Sequence, residues 1–180
     1  MHRTARRSVA GLSALALAAA AGMWVSPASA APMAHPALSL LSCTTHGTVT
    51  FHPSITVGSQ LINFTYTATS FTGCTGTTAL RPISVTATGT EHAQCTGATT
   101  DHTATGHFKW SDGTTSTAAG GETAETKTGG SGTEDLPGTI TSGTFAGHMT
   151  GFVGTTTDAT TCSAATPEPN ATVDALLTII

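Results

Sequence analysis

The chain is poor in charge, in aromatic rings and in long apolar runs. Only 9% of its 180 residues are charged and 5% are aromatic. Beyond the first thirty residues the basic side chains are Arg81, Lys109 and Lys127 alone, set against ten acidic ones, for a formal net charge of −7. That leaves no basic patch to neutralise phosphates, which excludes ordinary nucleic-acid binding. No polybasic run is present to hold anionic lipid either. The sequence has no C-x-x-C, H-x-H, H-E-x-x-H or G-x-S-x-G, so the short signatures of zinc, thioredoxin and α/β-hydrolase chemistry are missing. Nor does any stretch after residue 30 show a 3.6-residue apolar period.

The single long apolar segment lies at the N-terminus. Arg3, Arg6 and Arg7 precede "VAGLSALALAAAAGMWV", and "SPASA" offers small residues at Ala28 and Ala30. A short, Ala-rich core followed by an A-x-A site reads as a cleaved signal peptide over 1–30 rather than as a membrane anchor. We expect a linker over 31–42 and one domain over 43–180, secreted and extracellular, without membrane insertion after cleavage. In an exported chain, four cysteines (Cys43, Cys74, Cys95 and Cys162) read as two disulfides.

What is abundant is threonine and glycine, and the apolar residues alternate. Val49, Phe51, Ile55 and Val57 share one parity; so do Ile62, Phe64, Tyr66 and Ala68, and again Ile83, Val85 and Ala87. β-Branched threonine fits the opposite, wet face of such strands. The pattern predicts an all-β fold: an antiparallel β-sandwich, or a partly closed barrel, of about 7–9 short strands stapled by disulfides. In "TATGHFKWSDGTTSTA" (103–118), Ala104, Gly106, Phe108 and Trp110 fall on one face, and Asp112-Gly113 suits a two-residue turn. Phe108 and Trp110 are therefore expected in the core, with His107 and Lys109 in solvent. A second tight turn at Gly58-Ser59 would set Cys43 opposite Cys74. Counting strand directions then returns Cys162 to the rim that holds Cys95, so 43–74 with 95–162 is the favoured pairing among three. The segment 119–138 carries Glu122, Glu125, Glu134 and Asp135 with Leu136 as its one large apolar residue, and reads as a polar loop or an edge strand.

The motifs "CTTHGTVTFHPSITV", "SVTATGT", "FKWSDGTTST" and "SGTFAG", with "CTG" twice, resemble a group of short Thr/Gly-rich, four-cysteine secreted proteins of high-GC Gram-positive bacteria. The resemblance covers most of 43–162 and implies a single extracellular β-sandwich. It assigns no activity and no catalytic residues. The chain departs from the group's pattern at 119–135, where the relatives are more apolar.

Candidate chemistry is thin. Ser111 sits in the approach to a turn, where its hydroxyl serves the backbone. Glu122, Glu125, Glu134 and Asp135 read as a solvated loop rather than as a pair of glycosidase carboxylates. His102 and His107, five apart on one strand, face opposite ways; His46 and His52 would lie roughly 20 Å apart. Exposed histidines on wet faces are the expectation, with no metal, no cofactor and no catalytic residue. The sequence thus reads as a non-catalytic extracellular module that contacts another extracellular protein or a cell-envelope polymer. A secreted inhibitor or effector using 119–138, and a small hydrolase, are the alternatives.

Cleavage after Ala30 and full pairing of the cysteines make one joint prediction. Secreted protein should show the mass of a chain starting at Ala31 and no titratable thiol. Retention of the apolar segment, or two reactive thiols, would refute it.

Overall fold

Alternation with period two makes strands, and nine of them in a row leave a sheet with two edges unless it closes. In a computed structural model, which describes residues 39–121, 125–128 and 130–180, it closes. The strands are β1 (Leu41–Ile55), β2 (Gln60–Thr75), β3 (Pro82–Ala93), β4 (Gly97–Trp110), β5 (Thr115–Gly121), β6 (Glu125–Thr128), β7 (Ser131–Gly143), β8 (Met149–Asp158) and β9 (Glu168–Ile179). All pairings are antiparallel, β9 pairs with β1, and β3 pairs with both β2 and β4. The result is an up-and-down barrel of eight strands plus the short β6, the second of the two expected architectures, fully closed. The expected signal peptide and most of the linker lie outside the described residues. No helix among the described residues is long and apolar enough to cross a membrane.

Strand β6 explains why the described residues of 119–138 lie mostly in paired strands rather than in a loop or at an edge. β5 and β6 pair with β4 in one continuous register, Thr103 opposite Gly121 and Thr99 opposite Glu125. They lie in one line along β4, and β7 covers their other side. Closure replaces the exposed edge that a polar sequence would otherwise protect. Glycine and threonine suffice there because neighbouring strands on both sides supply the hydrogen bonds.

Two turns also differ from expectation. β1 and β2 are joined through four residues, 56–59, and not by a two-residue turn. Irregularities at Ser42/Thr44 and His46/Gly47 then shift the register, and Cys43 and Cys74 still meet. At the other hairpin, Gly113 N–H donates to Trp110 O and only Gly113 has positive φ, +86°. This is the three-residue loop with a glycine bulge rather than the two-residue turn. Asp112 accepts from the Thr114 amide and hydroxyl, which holds its exposed carboxyl below the ordinary range.

The disulfides are Cys43–Cys74 and Cys95–Cys162, one at each end of the barrel. The first end is packed with bulk: Leu41, Trp110, Ile140, Leu177 and Ile179 are fully buried. Phe108 stacks on Trp110 at 5.5 Å between ring centres, and Phe145 meets the indole edge-on at 5.1 Å. Trp110 Nε1–H donates to Ser116 Oγ at 2.8 Å, and that hydroxyl donates to Thr144 O. The second end is closed by Ile55, Ile62 and Ala93 beside Phe51 and Cys162. Outward positions such as Thr48, Thr50, Thr65, Thr67, Thr86 and Thr88 are polar and mostly exposed.

Trp110 is thus an organising core residue and His107 an outer one. Trp110→Ala should destabilise by about 3–5 kcal/mol, and His107→Ala by less than about 0.5 kcal/mol, by urea titration. In the chain cleaved after Ala30, Trp110 is the sole indole, and its emission should be blue and shielded from iodide. Red, quenchable emission would overturn this packing.

Candidate functional site

The two packed ends leave a narrow waist occupied by small residues. Ala87, Ala104, Gly106, Ala118, Gly120 and Gly138 all line one cavity of about 100 Å³ that is partly open to solvent. Its remaining wall is largely apolar and aromatic, with Val49, Phe64, Tyr66, Val85, Phe108 and Phe152 among the side chains. Eight strands can either fill such a lumen with side chains or leave room for one small ligand. Here bulk is concentrated at the ends, and the middle stays open.

Three charged or titratable groups line the cavity toward the second end. Glu91 comes from β3, His102 from β4 and Glu134 from β7. His102 Nδ1–H donates to Glu91 Oε2 at 2.7 Å, and both side chains are almost wholly buried, 6% and 5% exposed. The imidazole lies against the Phe64 ring at 4.7 Å. Gly89 permits this, because a Cβ there would sit 2.7 Å from the Phe64 ring and 1.8 Å from the Thr103 carbonyl oxygen. His102 Nε2 is buried and has no hydrogen-bond partner, and neither does Thr150 Oγ1, also in the cavity wall. With Nδ1 engaged by Glu91, Nε2 is the ring atom left without a partner beside the cavity.

Glu134 is the electrostatic outlier. Burial, reinforced by the charge of Glu91, pushes its carboxyl up to about 7, against the smaller opposing influence of His102 and Lys127. Tyr66 shares a 3.3 Å hydrogen bond with Thr45 and is pushed up to about 12 by burial, so its phenol stays neutral. Gly47 makes room for it, since a Cβ there would meet the ring at 2.5 Å.

Below the cavity, Lys127 from β6 is buried with two carboxyls. Its Nζ lies 2.8 Å from Glu168 Oε2 and 2.9 Å from Asp158 Oδ1, but only the Glu168 contact is aligned as a hydrogen bond. The Phe51 ring lies 5.4 Å from the ammonium. Burial opposes the lysine's charge, yet its two carboxyl partners more than offset that and hold it above its ordinary range. Burial and the neighbouring Asp158 push Glu168 up to about 7. One proton kept on Glu168 leaves one cation facing one anion, which a buried cluster tolerates far better than two anions.

These positions correct the sequence reading. His102 is a buried lumen residue, not a histidine on a wet face, and Glu134 faces the interior rather than a solvated loop. Glu122 lies outside the described residues. Other expectations match what the structure places at those positions: Ser111 Oγ accepts from the Arg81 amide at 3.1 Å, and His46 is exposed and paired with Asp174. Among the described residues no group of three or more His, Cys, Asp or Glu could hold a metal ion. No family model, curated protein or solved structure matches the chain.

The raised carboxyls set the pH dependence of folding. A carboxyl whose folded value lies near 7, above its ordinary 4.5, binds more protons folded than unfolded between those values. Its stabilising contribution is complete below about 4.5 and is lost as pH rises through about 7. Stability should therefore fall between about pH 4.5 and 7, by on the order of 1–3 kcal/mol for Glu134. Glu134→Gln should flatten that slope in urea titrations at several pH values; an unchanged slope would refute the assignment.

Proposed function

We propose that this is a secreted, non-catalytic binding protein that holds one small, mainly apolar molecule inside the barrel. The observation that carries the reading is the waist cavity, walled by aromatic and aliphatic side chains, with two buried polar atoms, His102 Nε2 and Thr150 Oγ1, lacking partners. A pocket of this kind, apolar with a few convergent polar groups, is what small-molecule sites are made of. Its size is of the order of the ~150 Å³ that accepts one benzene ring, which sets the scale of the ligand at a single ring or a short branched chain.

Several features support the rest of the reading. Two disulfides suit an oxidising extracellular compartment. A polar exterior around an apolar interior is the reverse of a lipid-embedded barrel. Nucleophilic catalysis needs a hydroxyl or thiol within hydrogen-bond reach of the base, whereas His102 Nε2 has no hydrogen-bond partner. The expected partners, an extracellular protein or a cell-envelope polymer, find less support: sugar polymers use exposed aromatic platforms, and here Phe64, Tyr66, Phe108 and Trp110 are buried in the lumen.

Ligand-observed NMR and thermal shift with toluene and benzyl alcohol test the lumen directly. Saturable binding of at least one probe is expected, and Ala118→Leu, which grows a side chain into the cavity, should abolish it while the barrel stays folded. Absence of binding at millimolar probe, or binding indifferent to Ala118→Leu, would refute the reading.

A further inference from the structure

Carboxyls outnumber basic groups inside the barrel. Glu91, Glu134, Asp158 and Glu168 stand beside Lys127 and the His102 imidazole, and the two raised carboxyls, Glu134 and Glu168, add their charges only as pH rises through about 7. Lys127 is already engaged by Asp158 and Glu168, so the cavity itself faces two carboxyls and one imidazole. In that imidazole, Nδ1 is bonded to Glu91, and Nε2 is buried without a hydrogen-bond partner. Glu91 and Glu134, with that unpartnered nitrogen, make a carboxyl-rich pole at one end of an aromatic-lined space.

We propose that the ligand of the lumen is an organic cation: a primary amine carried on one small ring or a short apolar chain. The ammonium lies at the pole formed by Glu91, Glu134 and His102 Nε2, and the apolar part lies among Phe64, Tyr66 and Phe152. The proposal rests on the lumen being a binding site, and it adds the charge and the orientation of the occupant.

The chemistry fits on three counts. An ammonium is donor-only, with three hydrogens, and the pole presents the acceptor oxygens of two carboxyls beside a buried nitrogen without a partner. A cation also removes the like-charge conflict between Glu91 and Glu134 by standing beside both. The aromatic faces around the cavity attract positive charge through their quadrupoles. A carboxylate ligand would meet repulsion from the same groups, and a metal ion lacks the ligand geometry among the described residues.

The pH dependence has a defined sign. Glu134 gains its charge as pH rises through about 7, so a cation binds better above that value than below it. The other charged or titratable groups that act on Glu134 are Glu91 from β3, His102 from β4 and Lys127 from β6; Tyr66 from β2 is sensitive to Glu134 in turn and stays neutral throughout.

The test compares benzylamine, benzyl alcohol and benzoate on the same protein by calorimetry at about pH 5.5 and about pH 8. The amine should bind at least about tenfold more tightly than the alcohol at the higher pH, a difference of ~1.4 kcal/mol. Amine affinity should rise roughly tenfold between the two pH values, and benzoate should not bind. Glu134→Gln, nearly isosteric and free of a buried charge, should remove the pH dependence of amine binding and narrow the amine's advantage over the alcohol at the higher pH, with Glu91 keeping the remainder. Equal binding of alcohol and amine, preference for benzoate, or an amine preference and pH dependence unchanged in Glu134→Gln would overturn the cation proposal and leave the lumen site standing. Failure of every probe, toluene included, would overturn both.

Discussion

A sheet that closes on itself has one interior, and every inward side chain competes for the same lumen. That constraint organises the whole molecule. Eight strands admit a lumen about wide enough to be filled by side chains, so where bulk goes decides where space remains. Trp110, Phe108, Leu41, Ile140, Leu177 and Ile179 occupy one end, and Ile55 and Ile62 the other. Between them the inward positions fall to alanine and glycine, partly by necessity. Gly120, for example, could not carry a Cβ without meeting the Pro137 carbonyl oxygen at 2.6 Å. The close strand approach that forbids side chains at such positions also keeps the waist empty. Packing and cavity are two outcomes of one geometry.

Closure also puts charge where water is scarce. A polar residue at an inward position of an open sheet can turn to the edge, but in a barrel it has only the lumen. Such groups survive by pairing or by holding a proton. The structure uses both devices. At the second end Lys127 meets Asp158 and Glu168, close to the Cys95–Cys162 bridge. Higher up, Glu91 takes the Nδ1 hydrogen of His102, and Glu134 tends to the neutral acid. The second arrangement is less complete, since it leaves a buried nitrogen without a donor. Incomplete satisfaction beside empty space is a different condition from the closed cluster below it, and that contrast separates a site from a structural plug.

The fold was largely legible because period two is a local signal, and it repeats along β1, β2, β3 and β4. The inward face was correctly marked by Phe108 and Trp110 and by Val85 and Ala87. The same parities, carried a few residues further, contain His102 and Glu91, and Glu134 is in phase with Leu136 and Ile140 on β7. His102 and Glu134 were missed because polarity was read as evidence of a wet face or a loop. Parity is set by the pleat and does not yield to polarity within a regular strand. A charged residue in phase with a core stripe is therefore a lumen residue first. Lys127 offered no such clue. Its neighbours Thr126, Thr128, Gly132 and Thr133 carry no apolar stripe, and the segment is a strand only because β4 and β7 flank it. Closure between β1 and β9, and the bulges that restore Cys43 to Cys74, are likewise long-range facts with no short-range signature.

The orientation of one imidazole then connects fold to chemistry. His102 sits on β4 in phase with the core, so its ring cannot leave the lumen. Glu91 lies on the paired strand β3, and the hydrogen bond between them selects which ring nitrogen keeps its hydrogen. Gly89, two residues before Glu91 on β3, admits the Phe64 ring that backs the imidazole. With Glu91 in place, Nε2 is left without a partner beside the cavity, and Glu134 on β7 adds a carboxyl whose charge depends on pH. A directional, acceptor-rich pole thus arises from strand phase, one glycine and one paired carboxylate, within a barrel whose remaining lining is apolar.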